Sequence, residues 1–127
     1  MTLDISLYGK NGDPSHTIDI SEDFAKWLAE SDFYEIGASR ETEIEIDDES
    51  ERLKLIDLNK GSITNRERLK DFLEKEIVKE SGEMLNKWGT NPPNKQEYKE
   101  FSYRLRKLHE LVECLENKQY QYLERVT

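Results

Sequence analysis

Residues 64–116 read TNRERLKDFLEKEIVKESGEMLNKWGTNPPNKQEYKEFSYRLRKLHELVECLE, and the rest of the chain must pack against them. In the first half the apolar residues recur every three or four positions: Leu69, Leu73, Ile77, Met84 and Trp88, with Phe72 and Leu85 beside them. This spacing predicts an amphipathic helix with one buried stripe. Thr64, followed three residues later by Glu67, forms a capping box, so we expect the helix to begin there. Because glycine costs roughly 1 kcal/mol relative to alanine inside a helix, the Ser81-Gly82 pair predicts a kink or a brief break.

A second helix follows after a short connection. Gly89 has the permissive backbone that ends helices, and Pro92-Pro93 cannot continue one. Asn94 and Glu97 repeat the capping arrangement, and a second apolar stripe follows: Tyr98, Phe101, Leu105, Leu108, Val112 and Leu115, widened by Leu111. With so short a connection, the two stripes should face each other as an antiparallel helical hairpin.

The N-terminal half has the alternation of β-strands. Apolar residues occupy every second position in residues 2–8 and 16–20, and the turn formers Asn11-Gly12-Asp13-Pro14 separate the two runs, which predicts a β-hairpin. Ser21 can cap a short helix with Phe24, Trp27 and Leu28 on one face. The opening Leu3-Asp4-Ile5 and Leu7-Tyr8, this hairpin, and the helix end Ser31-Asp32-Phe33-Tyr34 resemble a group of small bacterial and phage cytoplasmic proteins of unassigned function. The resemblance covers the N-terminal third and implies a bacterial or phage origin but no active site.

Two further strands precede the helices, and one more follows them. Residues 41–47 alternate with Ile44 and Ile46 inward, residues 48–51 read as a polar turn, and residues 52–58 read as a partner strand. After the second helix, residues 119–126 predict a strand beside the first one, with Tyr120 and Tyr122 on the same side, or else a continued helix. The pattern predicts an α+β fold in which a small, mainly antiparallel sheet packs against a long antiparallel helical hairpin.

A length of 127 residues fits one α+β domain over residues 1–127. It divides into an acidic β-rich half (1–63), the helical hairpin (64–116) and a C-terminal strand or tail (117–127). No apolar run is long enough to span a membrane, and no basic segment followed by an apolar one opens the chain. Cys114 is the only cysteine, so no internal disulfide can form. These features predict a cytoplasmic protein.

Charge is distributed unevenly. Residues 1–63 hold 16 Asp and Glu against 6 Lys and Arg, a balance of −10, whereas residues 64–127 hold 12 against 13. Residues 41–51 are the most acidic, because seven of these eleven residues are acidic and none is basic: Glu41, Glu43, Glu45, Asp47, Asp48, Glu49 and Glu51. This stretch is either a solvated strand that resists edge-to-edge aggregation or a surface that attracts a basic partner. A calcium loop would need a central glycine, which the stretch lacks.

No other cluster predicts chemistry. His16 and His109 have no histidine or cysteine at the spacing of zinc ligands, and the carboxylates beside Cys114 disfavour a thiolate. Glu76 and Glu80 read as surface ion-pair partners in a lysine-rich helix. The cations of the second helix (Lys99, Arg104, Arg106 and Lys107) alternate with glutamates, which disfavours direct binding of nucleic acid. We therefore expect no catalytic residue, metal or cofactor.

The sequence favours a small acidic binding protein without enzymatic activity. It would neutralise a protein partner that has a basic surface, such as a toxin or a nucleic-acid-handling enzyme, in the way of toxin-immunity proteins and phage inhibitors of host defence. The seven carboxylates of residues 41–51, with Tyr120 and Tyr122, are the candidate contact residues. One alternative is a structural or regulatory subunit that docks or dimerises through the helical hairpin, and a homodimer would fit it. Another is a carboxylate-based enzyme or small-ligand binder.

Overall fold

The computed structural model describes residues 3–46, 48–89 and 91–125. In chain order the elements are β1 (Leu3–Gly9), β2 (Ser15–Ile20), α1 (Glu22–Glu30), a short 3₁₀ helix (Asp32–Tyr34), β3 (Arg40–Ile46), β4 (Glu49–Asp57), α2 (Asn65–Trp88), α3 (Lys95–Glu116) and β5 (Tyr120–Glu124). The strands form one antiparallel sheet in the order β2-β1-β5-β4-β3, and α2 packs against α3. The predicted α+β class, with its antiparallel sheet and helical hairpin, is confirmed.

The helices begin at the predicted residues. The Thr64 hydroxyl accepts a hydrogen bond from the backbone N–H of Glu67 at 3.2 Å. At the start of α3 the full capping box forms, because the Asn94 side chain accepts from the Glu97 backbone while the Glu97 carboxylate accepts from the Asn94 backbone. Of the predicted kink or brief break in α2, the break is wrong, since the helix runs unbroken through Gly82. Two long packed helices outweigh the roughly 1 kcal/mol that one glycine costs.

One side of α2 is apolar yet turned to solvent. Leu85 was expected beside the buried stripe, but it is 69% exposed, and Val78, two turns earlier, is 72% exposed. Tyr98 on α3 is also exposed, so the buried part of its stripe begins later than predicted. The hairpin therefore buries fewer apolar residues than its sequence offers.

The main core lies between the helices and one face of the sheet. It contains Phe33 and side chains from four strands and all three helices: Ile5, Leu7, Ile18, Ile20, Phe24, Ala25, Leu28, Ile56, Leu58, Leu69, Leu73, Leu108, Leu111, Val112, Leu115 and Leu123. The β1–β2 hairpin forms as predicted and places Ile5 opposite Ile18 on this face. Burial of this apolar set is what holds the sheet to the helices.

Strand β5 lies between β1 and β4 and contains a bulge. Tyr122 pairs with Tyr8 and Tyr120 pairs with Gly9, so Gln121 is an extra residue on β5. One extra residue reverses the alternation of side chains along a strand. Tyr120 therefore packs against the main core, while Tyr122 lies on the face away from the helices. The prediction that the two tyrosines share a side is wrong for this reason.

The hairpin of β3 and β4, here called the acidic ribbon, folds back across the face of the sheet opposite the helices. β4 joins the sheet only at Ile56 and Asp57, which pair with β5. Because β5 runs antiparallel to β1 and to β4, this register would point a straight ribbon toward the Leu3 end of β1. The tip of the ribbon instead lies beside the loop at the other end of β1, where a Cβ added to Gly12 would lie 1.7 Å from the carbonyl oxygen of Glu45.

The inner side of the acidic ribbon buries two apolar side chains outside the main core. Ile44 is 4% exposed and Leu55 1% exposed, although neither belongs to the main core. The fold-back also brings Glu51 near Tyr8 and Glu124. Burial is the largest cause of the raised pKa of Tyr8 and of Glu124, and the negative charge of Glu51 raises both of these pKa values further. This contact explains why β4 carries buried apolar residues on both faces.

The turn of the acidic ribbon is tighter than predicted. Glu49, Ser50 and Glu51 were expected in a polar turn, but they belong to β4, and Ile46 pairs with Glu49. Two residues connect the strands, and Asp48 has a φ of 64°. Two-residue hairpin turns need positive φ, which aspartate tolerates. In the described part of the chain, no helix has the length and apolar character needed to cross a membrane.

Candidate protein-binding surface

Three of the candidate carboxylates lie on the outer face of the acidic ribbon. Glu41, Glu43 and Glu45 occupy alternate positions of β3, and all three are exposed. Residues directly opposite each other in an antiparallel pair share a face, and those opposite these glutamates are Lys54, Arg52 and Ser50 respectively. No cation lies within the acidic stretch itself, but the partner strand places two on the same face.

The other candidate carboxylates lie elsewhere on the ribbon. Glu49 and Glu51 are exposed on the opposite face, where they pair with Ile46 and Ile44. Asp48 is exposed at the turn, and Asp47 lies outside the described residues. The fold therefore spreads the described carboxylates over both faces and the tip of the ribbon.

Counter-ions within the molecule are found elsewhere. Every ion pair among the described residues includes a side chain of α2 or α3. On the ribbon, the Ser50 hydroxyl donates to the Glu43 carboxylate at 2.5 Å. No described carboxylate of the ribbon has a Lys or Arg nitrogen within 4.0 Å. The negative charge of the ribbon is therefore open to solvent and to a partner.

The two candidate tyrosines occupy different environments. Tyr122 is half-buried on the ribbon side of the sheet, paired with Tyr8, whose hydroxyl lies 3.4 Å from a Glu124 oxygen. Tyr120 faces the helices and lines a shallow depression with Cys114 and His16. Of the pair, only Tyr122 lies on the same side of the sheet as the ribbon.

Arg66 is a structural residue that no local sequence pattern marks. Its guanidinium donates to the carbonyl oxygens of Leu115 at 2.6 Å and Asn117 at 3.1 Å, and also to that of Tyr120. The last carbonyls of a helix have no partner within it, so this arginine caps α3 and joins it to β5. Burial lowers the pKa of Arg66.

Arg125 makes a second bridge of this kind. It is 6% exposed and donates to the carbonyl oxygens of Phe33, Ile36 and Gly37 at 2.6–2.7 Å. Its guanidinium also lies 5.5 Å from the centre of the Tyr34 ring. Burial lowers the pKa of Arg125. A sequence signal existed, because Arg125 stands two positions after the buried Leu123, where strand alternation points a side chain inward.

Glu80 is buried between the two long helices. It was expected at the surface, but it is 4% exposed, and one of its oxygens accepts a hydrogen bond from Arg104 on α3 at 3.1 Å. Arg104 also stacks 5.3 Å from the centre of the Trp27 ring. The residue that neutralises Glu80 lies 24 positions away on α3, so the pattern of residues within α2 could not reveal it.

Cys114 and His16 line the same depression beside α3. Burial, followed by the charges of Glu110 and Glu113, raises the pKa of the Cys114 thiol to about 11, so the thiolate is scarce at neutral pH. His16 lies 3.5 Å from a Glu110 oxygen at the rim of the same depression. Within residues 3–46, 48–89 and 91–125, no group of three or more His, Cys, Asp or Glu side chains could hold a metal ion.

The N-terminal segment with the resemblance to small bacterial and phage proteins forms β1, β2, α1 and the 3₁₀ helix. No protein-family model, no curated protein and no solved structure matches the chain.

Proposed function

We propose that this chain is a small acidic binding protein, without enzymatic activity, that neutralises a protein partner by covering a basic surface on it. The partner would be a toxin or a nucleic-acid-handling enzyme, and the chain would act in the cytoplasm as an immunity protein or as a phage inhibitor of host defence. The acidic ribbon, with Tyr122 near its base, is the proposed contact surface.

One observation carries the proposal. The ion pairs of the described residues all involve α2 or α3, whereas those carboxylates of the acidic ribbon that the structure describes have no Lys or Arg nitrogen within 4.0 Å. An excess of charge of one sign produces a field that reaches beyond contact distance and speeds the approach of an oppositely charged surface. Arg52 and Lys54 reduce this field on the outer face. Together with the glutamates they form a pattern of charges that a specific partner would have to complement.

The charge on the helical half supports a protein partner over nucleic acid. Arg104 is engaged by Glu80, and Lys107 lies 3.6 Å from a Glu110 oxygen. A phosphate backbone would meet a helical surface on which these two cations are already paired, and an acidic ribbon that repels it.

The test compares two variants with equal charge change. Glu41, Glu43 and Glu45 are replaced by glutamine in one variant, and the control replaces three exposed glutamates of the helical half that form no ion pair: Glu67, Glu83 and Glu100. The partner is isolated from lysate of the native host with the wild-type chain and identified, and its association rate is then measured against ionic strength.

We expect the ribbon variant to associate about tenfold more slowly at low ionic strength, with a flatter salt dependence, because steering by charge contributes roughly 10–1,000-fold to such rates. The control should keep the wild-type rate and salt slope. Equal behaviour of both variants and the wild type would exclude the acidic ribbon as the contact surface.

A second candidate function rests on α2. The exposed Val78 and Leu85 lie on its solvent side, and a Cβ added to Gly82 between them would meet nothing within 4 Å. Such a surface suits docking or dimerisation of a regulatory subunit through the helical hairpin. Sedimentation from micromolar to hundred-micromolar concentration tests dimerisation, and a constant monomer mass would count against it.

A further inference from the structure

The outer edge of β3 is an unpaired strand edge in this sheet. β3 is the last strand in the order, and β4 is its single neighbour. In a hairpin with a two-residue turn, the closing pair exchanges both backbone hydrogen bonds, and along the strand such pairs alternate with pairs that exchange none. The closing pair here is Ile46 and Glu49. The backbone groups of Glu41, Glu43 and Glu45 therefore point away from β4.

One of these three positions is already covered. The carbonyl of Glu45 lies against Gly12 of the β1–β2 loop, so closely that an added Cβ would overlap it. Among the described residues, no backbone hydrogen bond outside the regular elements reaches Glu41 or Glu43. No described residue therefore occupies their two outward N–H and two outward C=O groups, which leaves these groups for another chain.

Charge determines which chain can pair there. A second copy of β3 would place carboxylates beside carboxylates, and like charges on adjacent strands are destabilising. A strand with Lys or Arg at alternate positions would place cations beside Glu41 and Glu43 instead. The other free edge, on β2, offers one carboxylate, Asp19, and has its His16 directed toward Glu110 of α3. Charge therefore favours β3.

We propose that the partner inserts an extended basic segment along the free edge of β3 as an additional strand. Backbone hydrogen bonds to Glu41 and Glu43 would supply affinity, and alternate basic side chains would supply specificity. This inference rests on the proposed function, because it assigns the binding mode of the same acidic ribbon. It adds that the partner offers a strand with free backbone N–H and C=O groups, and not merely a basic surface.

The first test uses the full chain and two synthetic heptapeptides of identical charge. One is KTKVKTK, and the other has the same sequence with every backbone nitrogen methylated, so that it cannot donate backbone hydrogen bonds. Binding is followed by amide NMR at low ionic strength. With the first peptide, we expect solvent exchange of the Glu41 and Glu43 amides to slow about fivefold, as one hydrogen bond of ordinary net strength would give. The exchange of the Thr42 amide should be unchanged, since it already faces β4. The methylated peptide should bind at least about tenfold more weakly, since it loses several such bonds.

A second test uses the chain itself. Glu43→Pro and Glu43→Gln remove the same charge, but the proline variant also removes the outward N–H without removing a bond to β4. We expect Glu43→Pro to bind KTKVKTK at least about fivefold more weakly than Glu43→Gln. Circular dichroism reports whether the proline variant keeps its fold, and if it does not, the two peptides on the wild-type chain decide the question.

The outcomes separate the two proposals. Equal binding of both peptides, with no slowing at Glu41 and Glu43, overturns strand addition and leaves charge-driven binding by the acidic ribbon standing. If neither peptide binds, strand addition is also overturned. The association rates of the partner with the variant that has glutamine at positions 41, 43 and 45 then decide the proposed function.

Discussion

Replacing Arg125 with methionine should destabilise the fold by about 3 kcal/mol, within a range of about 2–5 kcal/mol. Methionine keeps the apolar stem of the side chain but leaves the carbonyls of Phe33, Ile36 and Gly37 without their donor. The bond to Phe33 is buried, and an acceptor left unsatisfied there costs about 1–3 kcal/mol. The bonds to Ile36 and Gly37 are only part-buried, so losing each of them costs about 0.5–1.5 kcal/mol. Burial of the guanidinium, which already lowers its pKa, offsets part of the loss.

The assay is urea unfolding followed by circular dichroism, with thermal unfolding as a second measurement. A loss of 3 kcal/mol corresponds to roughly a 10 °C fall in Tm for a chain of this length. Arg125→Lys should fall between wild type and Arg125→Met, because one ammonium cannot span three carbonyls held by two branches of a guanidinium. Arg106→Met is the control, since Arg106 is exposed and should change stability by less than about 0.5 kcal/mol. A loss below about 1 kcal/mol in Arg125→Met would refute the bridge as a stabilising contact.

Four further predictions concern single positions. Gly12→Ala should destabilise the fold by about 2–3 kcal/mol in urea unfolding, because φ is +79° there and the new Cβ would overlap the Glu45 carbonyl. Gly82→Ala should stabilise it by about 0.5–1 kcal/mol in the same assay, because a helix-interior Cβ there meets nothing within 4 Å. Cys114 should react slowly with an aromatic disulfide at neutral pH, and its rate should rise about tenfold per pH unit without a plateau below its pKa of about 11. The hydrogen bond from the Asn94 backbone N–H is the main cause that lowers the pKa of Glu97. The ionised carboxylate should therefore stabilise the fold at pH values above the ordinary carboxyl pKa, and this stabilisation should be lost as the pH falls and Glu97 becomes protonated. Glu97→Gln should remove this part of the pH dependence of unfolding.

Each of these predictions has an outcome that would contradict it. A neutral Gly12→Ala would mean that the loop does not touch the acidic ribbon. A destabilising Gly82→Ala would reveal a neighbour of α2, and its concentration dependence would tell whether that neighbour is a second copy. A reaction plateau near pH 8 would show that Cys114 is accessible as a thiolate. If Glu97→Gln leaves the acid unfolding transition unchanged, the pH dependence of stability comes from other carboxyl groups.

Local patterns were enough to predict the two long helices and the N-terminal β-hairpin of this fold. The stripes of α2 and α3, the caps at Thr64 and Asn94, and the alternation of the N-terminal strands each depend on residues a few positions apart. For residues 119–126 alternation left a strand beside β1 and a continued helix both open, and the structure has the strand. The bulge at Gln121 could not be predicted, because its cause lies in the pairing with the neighbouring strand.

The contacts that complete the fold could not be predicted because they join distant segments. Glu80 finds its cation on another helix, and Arg66 and Arg125 find carbonyls 49 and 92 positions away. Every residue has a backbone carbonyl, so residue types do not predict which carbonyl an arginine will bind. The candidate site shows the same limit. The acidic stretch was visible in the sequence, whereas the cations opposite Glu41 and Glu43 depend on strand register.

The place of β5 in the sheet has a consequence for how the molecule assembles. It comes last in the order of elements, yet it lies between the two hairpins, and Tyr8 meets Glu124 across 116 positions. A growing polypeptide can form either hairpin early, but the gap between them stays open until this strand is synthesised. Closing so large a loop is slow. We therefore expect the nascent chain to remain sensitive to protease until the strand leaves the ribosome, and then to become resistant in one cooperative step.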